Sequence, residues 1–232
     1  MPAIIFDLFG TLIDGSSDEL AHKALSKYLA DVHGGVFTAE EHLNLYHELI
    51  ESRGLDSSEA VWEALLKLSK LKNFEVRVEL KSIMELHVRF HAQYAVLYDD
   101  VAEAIEVARK FTDLLGVVSD ADKDVALAIL ESAELLKYFS VVVTSGELGI
   151  RKPDPRLFLE ACNRLGITPS ECAVIGDSWR DVEGGKRAGM KVVLIARSPP
   201  SSWETSYEPD DRAGNLVEAV SKAIKLLTQQ PP

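Results

Sequence analysis

Asp7 stands directly after the apolar run Ala3-Ile4-Ile5-Phe6, and Gly10 and Thr11 follow closely behind it. A short buried-strand pattern ending in a carboxylate places that group at the carboxyl end of a strand, where open α/β sheets hold their ligands. An aspartate there can attack phosphorus, or a carbon bearing a halide, and form a covalent intermediate that water later cleaves. Alone it decides little, because a carboxylate after a strand is equally a turn former or a helix cap. Three more groups follow in order. Ser119 and Asp120 come after Leu114-Leu115-Gly116-Val117-Val118, Lys152 lies in Arg151-Lys152-Pro153-Asp154-Pro155, and Asp177 and Asp181 lie in Gly176-Asp177-Ser178-Trp179-Arg180-Asp181 after Ala173-Val174-Ile175. The hydroxyls of Thr11 and Ser119 suit phosphoryl oxygens, though Ser119 could also cap the next helix. Lys152 can neutralise charge crowded between a nucleophile and an anion. Asp177 and Asp181, joined by Asp7, give a hard, oxygen-only set suited to Mg²⁺ with waters and a phosphoryl oxygen. The other reading of Asp181 is a helix N-terminal carboxylate favoured by the dipole.

These groups need elements to hold them. After Asp14-Gly15 the pattern turns helical for about 80 residues. Ser16-Ser17-Asp18-Glu19, Thr38-Ala39-Glu40-Glu41 and Asp56-Ser57-Ser58-Glu59 each read as a capping box. In the first helix Leu20, Ala24, Leu25, Tyr28, Leu29 and Val32 form an apolar face that Gly34 stops; the second ends at Gly54. A last helix spans about Glu75 to Ala95, so four amphipathic helices are inserted at residues 15–97. Tyr46 and Trp62 sit at helical spacing and read as core. From Asp99 onward strands at 114–119, 139–144, 172–176 and 191–196 alternate with helices, which implies βαβ units and a parallel sheet. Asp154 and Pro155 start one of those helices as N-cap and first residue. Residues 198–213 read as a polar surface loop, 216–227 as a closing helix, and 229–232 as frayed.

The net charge of −12 over 232 residues argues against nucleic acid or an anionic membrane as partner, because phosphate backbones need clustered Lys and Arg. A small anionic substrate stays open, since a local pocket can oppose the global sign. Cys162 and Cys172 have no CxxC or Cys/His spacing around them and read as buried free thiols. Met1-Pro2-Ala3-Ile4 lacks the basic region and cleavage site of a signal peptide, and no apolar run approaches the ~20 residues of a membrane span. The expectation is a cytoplasmic protein, monomer or homodimer, acting on a small molecule.

In order and spacing the groups around Asp7, Ser119, Lys152 and Asp177–Asp181 resemble the four motifs of the haloacid dehalogenase-like hydrolase superfamily, and Thr144 to Pro155 matches the third over a dozen residues. The resemblance spans the chain. It implies an α/β fold, a Rossmann-like parallel-sheet core of residues 1–14 and 98–232 with an inserted all-helical cap at 15–97. It further implies Asp7 as nucleophile, Thr11, Ser119 and Lys152 as phosphoryl-holding groups, Asp120 as a substrate contact through its N–H, and Mg²⁺ held by Asp7, Asp177, Asp181 and the main-chain carbonyl of Phe9. Phe9 departs from the phosphatase pattern, in which a second aspartate there protonates the leaving alcohol and later activates water. Such acid–base help is worth roughly 10²–10⁴-fold, so leaving groups that need no proton, such as an acyl phosphate or a halide, would suffer least. The 2-haloacid dehalogenases, which carry an aromatic residue in that slot, are the rival reading. Against them stand the intact Gly176-Asp177 and the lack of an arginine near Thr38, where they hold the substrate carboxylate; the first cap arginine is Arg53. A phosphoryl binder without turnover is the third reading. Lys23, Lys27 and Arg53 are the cap cations expected to meet substrate.

Overall fold

In the computed structural model residues 1–53, 55–197 and 203–229 are described. The expectations for Gly54, for 198–202 in the polar loop and for Gln230–Pro232 lie outside them. The chain divides into two compact units, Met1–Gly15 with Val96–Pro232, and Ser16–Ala95. No helix among the described residues is long and apolar enough to cross a membrane.

The chain opens with β1 (Ala3–Phe6), buried at every position, and then enters the helical unit. That unit consists of α1 (Ser16–Val32), α2 (Ala39–Arg53), α3 (Ser57–Lys72) and α4 (Leu80–Tyr94), with α1 packed against α2 and α4, and α2 against α3. Of the three expected capping boxes, the one at α2 forms in full: Thr38 N donates to Glu41 Oε2 at 2.8 Å, and Glu41 N to Thr38 Oγ1 at 3.1 Å. Ser16 is instead the first helical residue of α1, and Asp56 stands at the N-cap of α3 with no capping bond from its side chain. The last helix starts at Leu80 rather than near Glu75, so Val78 packs on the helical core from outside any helix. Tyr46 is buried in that core and Trp62 packs against it.

The buried face of α1 also differs from the apolar one. Leu20 and Tyr28 are exposed, whereas Ala21, His22, Leu25, Ser26 and Leu29 are buried. His22 and Ser26 can occupy that face because they are hydrogen-bonded there, Ser26 Oγ to His42 Nδ1 at 2.9 Å and His22 Nε2 to Tyr46 Oη at 2.9 Å. A helix rotated by hydrophobicity alone would have turned these polar groups outward.

The second unit continues with α5 (Val101–Phe111), β2 (Leu115–Ser119), α6 (Lys123–Ser132), β3 (Val141–Thr144), the single-turn α7 (Ser145–Leu148), α8 (Pro155–Leu165), β4 (Cys172–Gly176), α9 (Trp179–Arg187), β5 (Lys191–Ile195), β6 (Asp211–Ala213) and α10 (Leu216–Thr228). All six strands are parallel in the order β3-β2-β1-β4-β5-β6. The strands read as continuous apolar runs because helices cover both faces of such a sheet. β6 corrects the expected loop at 198–213. Asp-Arg-Ala carries no strand pattern, and the pairing is arranged by Asp210, which gives its N–H to Val192 O at 2.8 Å and takes Val192 N on Oδ2 at 2.7 Å. Asp154 caps α8 by accepting Arg156 N, with Pro155 at the first position. Cys162 and Cys172 are buried free thiols.

β1 lies between β2 and β4, and the connections run to opposite sides of it, so the strand order reverses there. Ligands of open α/β sheets bind outside the carboxyl ends of the strands at such a reversal. Asp7 and Asp177 follow β1 and β4, and Ser119 ends β2, the three strands that meet at it.

Candidate active site

Asp7 extends β1 by one rung, its N–H bonding to Ile175 O at 2.9 Å, and the chain then folds sharply back on itself. Leu12 N and Ile13 N both bond to Leu8 O at 2.9 Å. Gly10 makes this turn at φ +87°, and a Cβ there would overlap the Asp177 carboxylate. At β4 a Cβ on Gly176 would similarly overlap Asp181. Two glycines thus clear the space in which the acidic side chains converge.

Lys152 is the hub of the cluster. Its buried Nζ donates to Asp7 Oδ1 at 2.5 Å and to Asp181 Oδ1 at 2.6 Å. Its main-chain N–H is held by Asp120 Oδ1 at 2.9 Å. Asp120 in turn accepts Ser145 Oγ on its carbonyl at 2.7 Å. The carboxylate of Asp120 therefore positions the lysine, a role separate from the N–H contact expected of it. Asp181 is the third residue of α9 and forms a capping box with Ser178, whose Oγ donates to Asp181 Oδ2 at 2.6 Å. The helix-terminal reading of Asp181 holds: one oxygen takes part in the cap, while the other accepts from Lys152. Ser119 is buried and accepts Ala121 N at 3.2 Å, so it also caps the turn after β2.

Asp7, Asp177 and Asp181 each offer an oxygen within 4.8 Å of the other two. Three carboxylates against one ammonium leave negative charge in excess. Burial holds the Asp7 carboxyl well above its ordinary range, against the pull of Lys152, with Asp181 and Asp177 raising it further. Burial and the neighbouring Asp181 push Asp177 up to about 6. Lys152 would be depressed by burial, but Asp181 and Asp7 outweigh this and keep it charged. Two buried oxygens, Asp7 Oδ2 and Thr11 Oγ1, have no hydrogen-bond partner among the described residues. A buried acceptor without a partner costs about 1–3 kcal/mol. An oxygen-only donor set with surplus negative charge and an open carboxylate oxygen fits a hard divalent cation such as Mg²⁺.

Phe9 is half-buried and leaves the cluster without the second carboxyl of the motif. Lys23, Lys27 and Arg53 are exposed residues of the helical unit; Lys23 lies 3.2 Å from Glu19 and Arg53 3.7 Å from Glu63.

One supporting group was not expected from the sequence. Arg197, just past β5, donates to Thr11 O at 3.0 Å and to Asp100 Oδ1 at 2.7 Å and Oδ2 at 3.2 Å, while lying 3.7 Å from the centre of the Tyr98 ring. Asp100 also accepts Leu216 N at 2.7 Å. Arg197 therefore ties the Thr11 turn to α5 and α10. The only sequence signal for it is a cation at the end of a strand.

The family model for haloacid dehalogenase-like hydrolases matches residues 1–189. The chain belongs to that family. Among its relatives, a glyceraldehyde 3-phosphate phosphatase of Methanopyrus kandleri is 30% identical over 240 residues, covering 96% of this chain and 98% of that protein. A phosphoglycolate phosphatase of Aquifex aeolicus is 31% identical over 194 residues, 84% of each chain. Among solved structures, a HAD phosphatase from Thermococcus onnurineus superimposes with a TM-score of 0.69 at 27% identity, covering 96% of this hydrolase and 97% of that chain. A 2-haloacid dehalogenase from Pseudomonas syringae reaches a TM-score of 0.77 at 23% identity, over 96% and 99%, a likeness of fold.

Proposed function

We propose that this hydrolase is a Mg²⁺-dependent phosphatase of small phosphorylated metabolites that works through an aspartyl-phosphate on Asp7. The observation that carries this reading is the buried Asp7 Oδ2, unpartnered among the described residues, within a set of three carboxylates of which Lys152 bridges two. Relatives similar over most of their length are named phosphatases, which supports the same choice. The intact Asp177 weighs against metal-independent dehalogenation, because surplus carboxylate beside a nucleophile hinders attack on an anion unless a cation offsets it.

Asp7 and Asp177 would hold the ion, with the Phe9 carbonyl, and it would supply charge neutralisation and polarisation of the transferring group. Asp181 spends both oxygens on Lys152 and Ser178, which suits action at one remove from the metal. An Asp7 oxygen attacks phosphorus as the bond to the leaving oxygen breaks, giving the acyl phosphate and the freed alkoxide or carboxylate. Water then attacks the phosphorus, releasing phosphate and restoring the Asp7 carboxylate. Lys152 stays charged throughout and offsets the negative charge that builds up between nucleophile and phosphoryl group. Thr11 Oγ1 and Ser119 Oγ, both buried at the strand ends, contact the phosphoryl oxygens.

Phe9 cannot donate a proton, so rate should depend steeply on the leaving group. With Mg²⁺, acetyl phosphate and p-nitrophenyl phosphate should be hydrolysed well ahead of sugar phosphates. Equal rates for all would show that another acid takes the place of the missing carboxyl. Chloride release from 2-chloropropionate without metal would replace the proposal with dehalogenation.

A further inference from the structure

Within the helical unit, Asp18 and His22 lie four residues apart on α1, and His87 and His91 lie four apart on α4. Residues at this spacing share one face of a helix, and α1 and α4 pack against each other. The three histidines are buried, and each offers a ring nitrogen within 4.8 Å of the other two. Their ring centres are 5.3 Å (His22–His87), 4.7 Å (His22–His91) and 4.3 Å (His87–His91) apart. Asp18 stands at the edge with its side chain about half exposed, its Oδ1 at 3.1 Å from His91 Nε2 and 3.7 Å from His22 Nε2.

The hydrogen bonds around the cluster are arranged as supports. His91 Nδ1 donates to His87 O at 2.8 Å, which leaves Nε2 as the lone-pair nitrogen of the neutral ring. That nitrogen faces a carboxylate oxygen, and two acceptors at 3.1 Å require a cation to share. A proton on His91 would meet this one contact. It would not satisfy His22 Nδ1, which is buried without a hydrogen-bond partner among the described residues. His22 is held at its other nitrogen by Tyr46 Oη at 2.9 Å and Ser57 Oγ at 3.1 Å, and Ser57 Oγ also reaches His87 Nε2 at 3.1 Å. Metal-bound imidazoles are oriented in this way, by a partner on the second ring nitrogen.

We propose that Asp18, His22, His87 and His91 form a divalent transition-metal site of Zn²⁺ type that pins α1 to α4. Three imidazoles and one carboxylate suit Zn²⁺ and Co²⁺ at about 2.0–2.2 Å per ligand and disfavour Mg²⁺, which demands oxygen donors. The ion would enter past the half-exposed Asp18. It would bind as the histidines lose any protons they carry, with no other bond made or broken.

The test is Co²⁺ titration of the full chain after removal of metal by chelator, in an Asp177→Asn background that weakens the carboxylate site. One equivalent should bind, giving the d–d absorption of nitrogen-ligated Co²⁺. Excess Mg²⁺ should not displace it, and Zn²⁺ should. His91→Gln and Asp18→Asn should each weaken binding at least ten-fold and abolish the rise in melting temperature that stoichiometric Zn²⁺ produces. Asp18 is partly exposed, so Asp18→Asn tests the site in a chain that keeps its fold, as its helical circular dichroism would confirm. Absence of d–d bands in the folded protein, or bands that survive both substitutions, overturns the proposal and leaves a hydrogen-bonded histidine core.

Discussion

The α/β unit and the helical unit each bury a cluster of titratable side chains, and the two are made of different materials. In the α/β unit the groups sit at strand ends and turns: Asp7 after β1, Asp177 after β4, Asp181 on the first turn of α9, with Lys152 bridging two of them. In the helical unit the groups repeat at four-residue spacing along two helices and are mainly imidazoles. Burial lowers His22 to about 3, where Asp18 only partly opposes it, and raises Asp7 and Asp177. Desolvation disfavours the charged form in both clusters. The acids escape that cost by holding a proton or taking up a cation, whereas the histidines escape it by giving up a proton. At neutral pH the strand-end cluster is therefore strained by its own charge in a way that a substrate and a hard cation can exploit, whereas the helix cluster offers ring nitrogens in place of surplus charge.

That contrast can be broken by substitution. Asp7→Asn removes the nucleophile and should lower phosphatase turnover at least ~10³-fold, while leaving the Co²⁺ response of the histidine cluster as it was; initial rates with acetyl phosphate check the first and the titration checks the second. Lys152→Met should cost about 10²–10³-fold in kcat. It also strands Asp7 and Asp181 without their ammonium, so the metal-free protein should melt lower, a loss that calorimetry would read. No substitution of a single histidine should have so large an electrostatic effect. Phe9→Asp adds a carboxyl to the strand-end cluster and should raise phosphomonoesterase activity toward the ~10²-fold lower bound of acid–base help, with little change for acetyl phosphate. No gain in a folded variant would place the proton path elsewhere.

The smallest effect is on stability. Asp177 is raised to about 6 in the folded chain against 3.8 as its ordinary value. A raised folded value stabilises fully below the unfolded one, and that contribution is lost as pH rises through about 6. Without metal, Asp177→Asn should therefore be more stable than the parent at pH 7–8 by at most about 3 kcal/mol, or roughly 6–12 °C in melting temperature. The advantage should vanish as the pH falls toward 4. Mg²⁺ at neutral pH should reverse the order by stabilising only the parent. A variant less stable than the parent at every pH would mean that Asp177 is held by structure rather than strained by charge.

Much of the carboxylate cluster was legible because its members follow apolar strands that helices cover on both faces, so β1, β2 and β4 announce themselves and their ends fall at Asp7, Ser119 and Asp177. Arg197 was not legible, because it acts on the main-chain oxygen of Thr11 and pairs with Asp100 across most of a domain. The sequence points to the N–H of Asp120, whereas its carboxylate anchors the Lys152 main chain. β6 escaped because Asp210, rather than an apolar pattern, sets its pairing. The face of α1 was read from its leucines and tyrosine, but hydrogen bonds bring His22 and Ser26 inward and leave Leu20 and Tyr28 outside. That rotation concealed the histidine cluster. Periodicity registers hydrophobicity, and a buried polar group satisfied by a partner far along the chain is invisible to it.

Covalent chemistry at Asp7 is the step on which turnover depends. Rapid quenching during acetyl phosphate turnover with Mg²⁺, followed by borohydride reduction and peptide mapping, should convert Asp7 alone to homoserine and should give no product when Mg²⁺ is left out. Phosphate release with Asp7 unmodified, or undiminished release by Asp7→Asn, would contradict it.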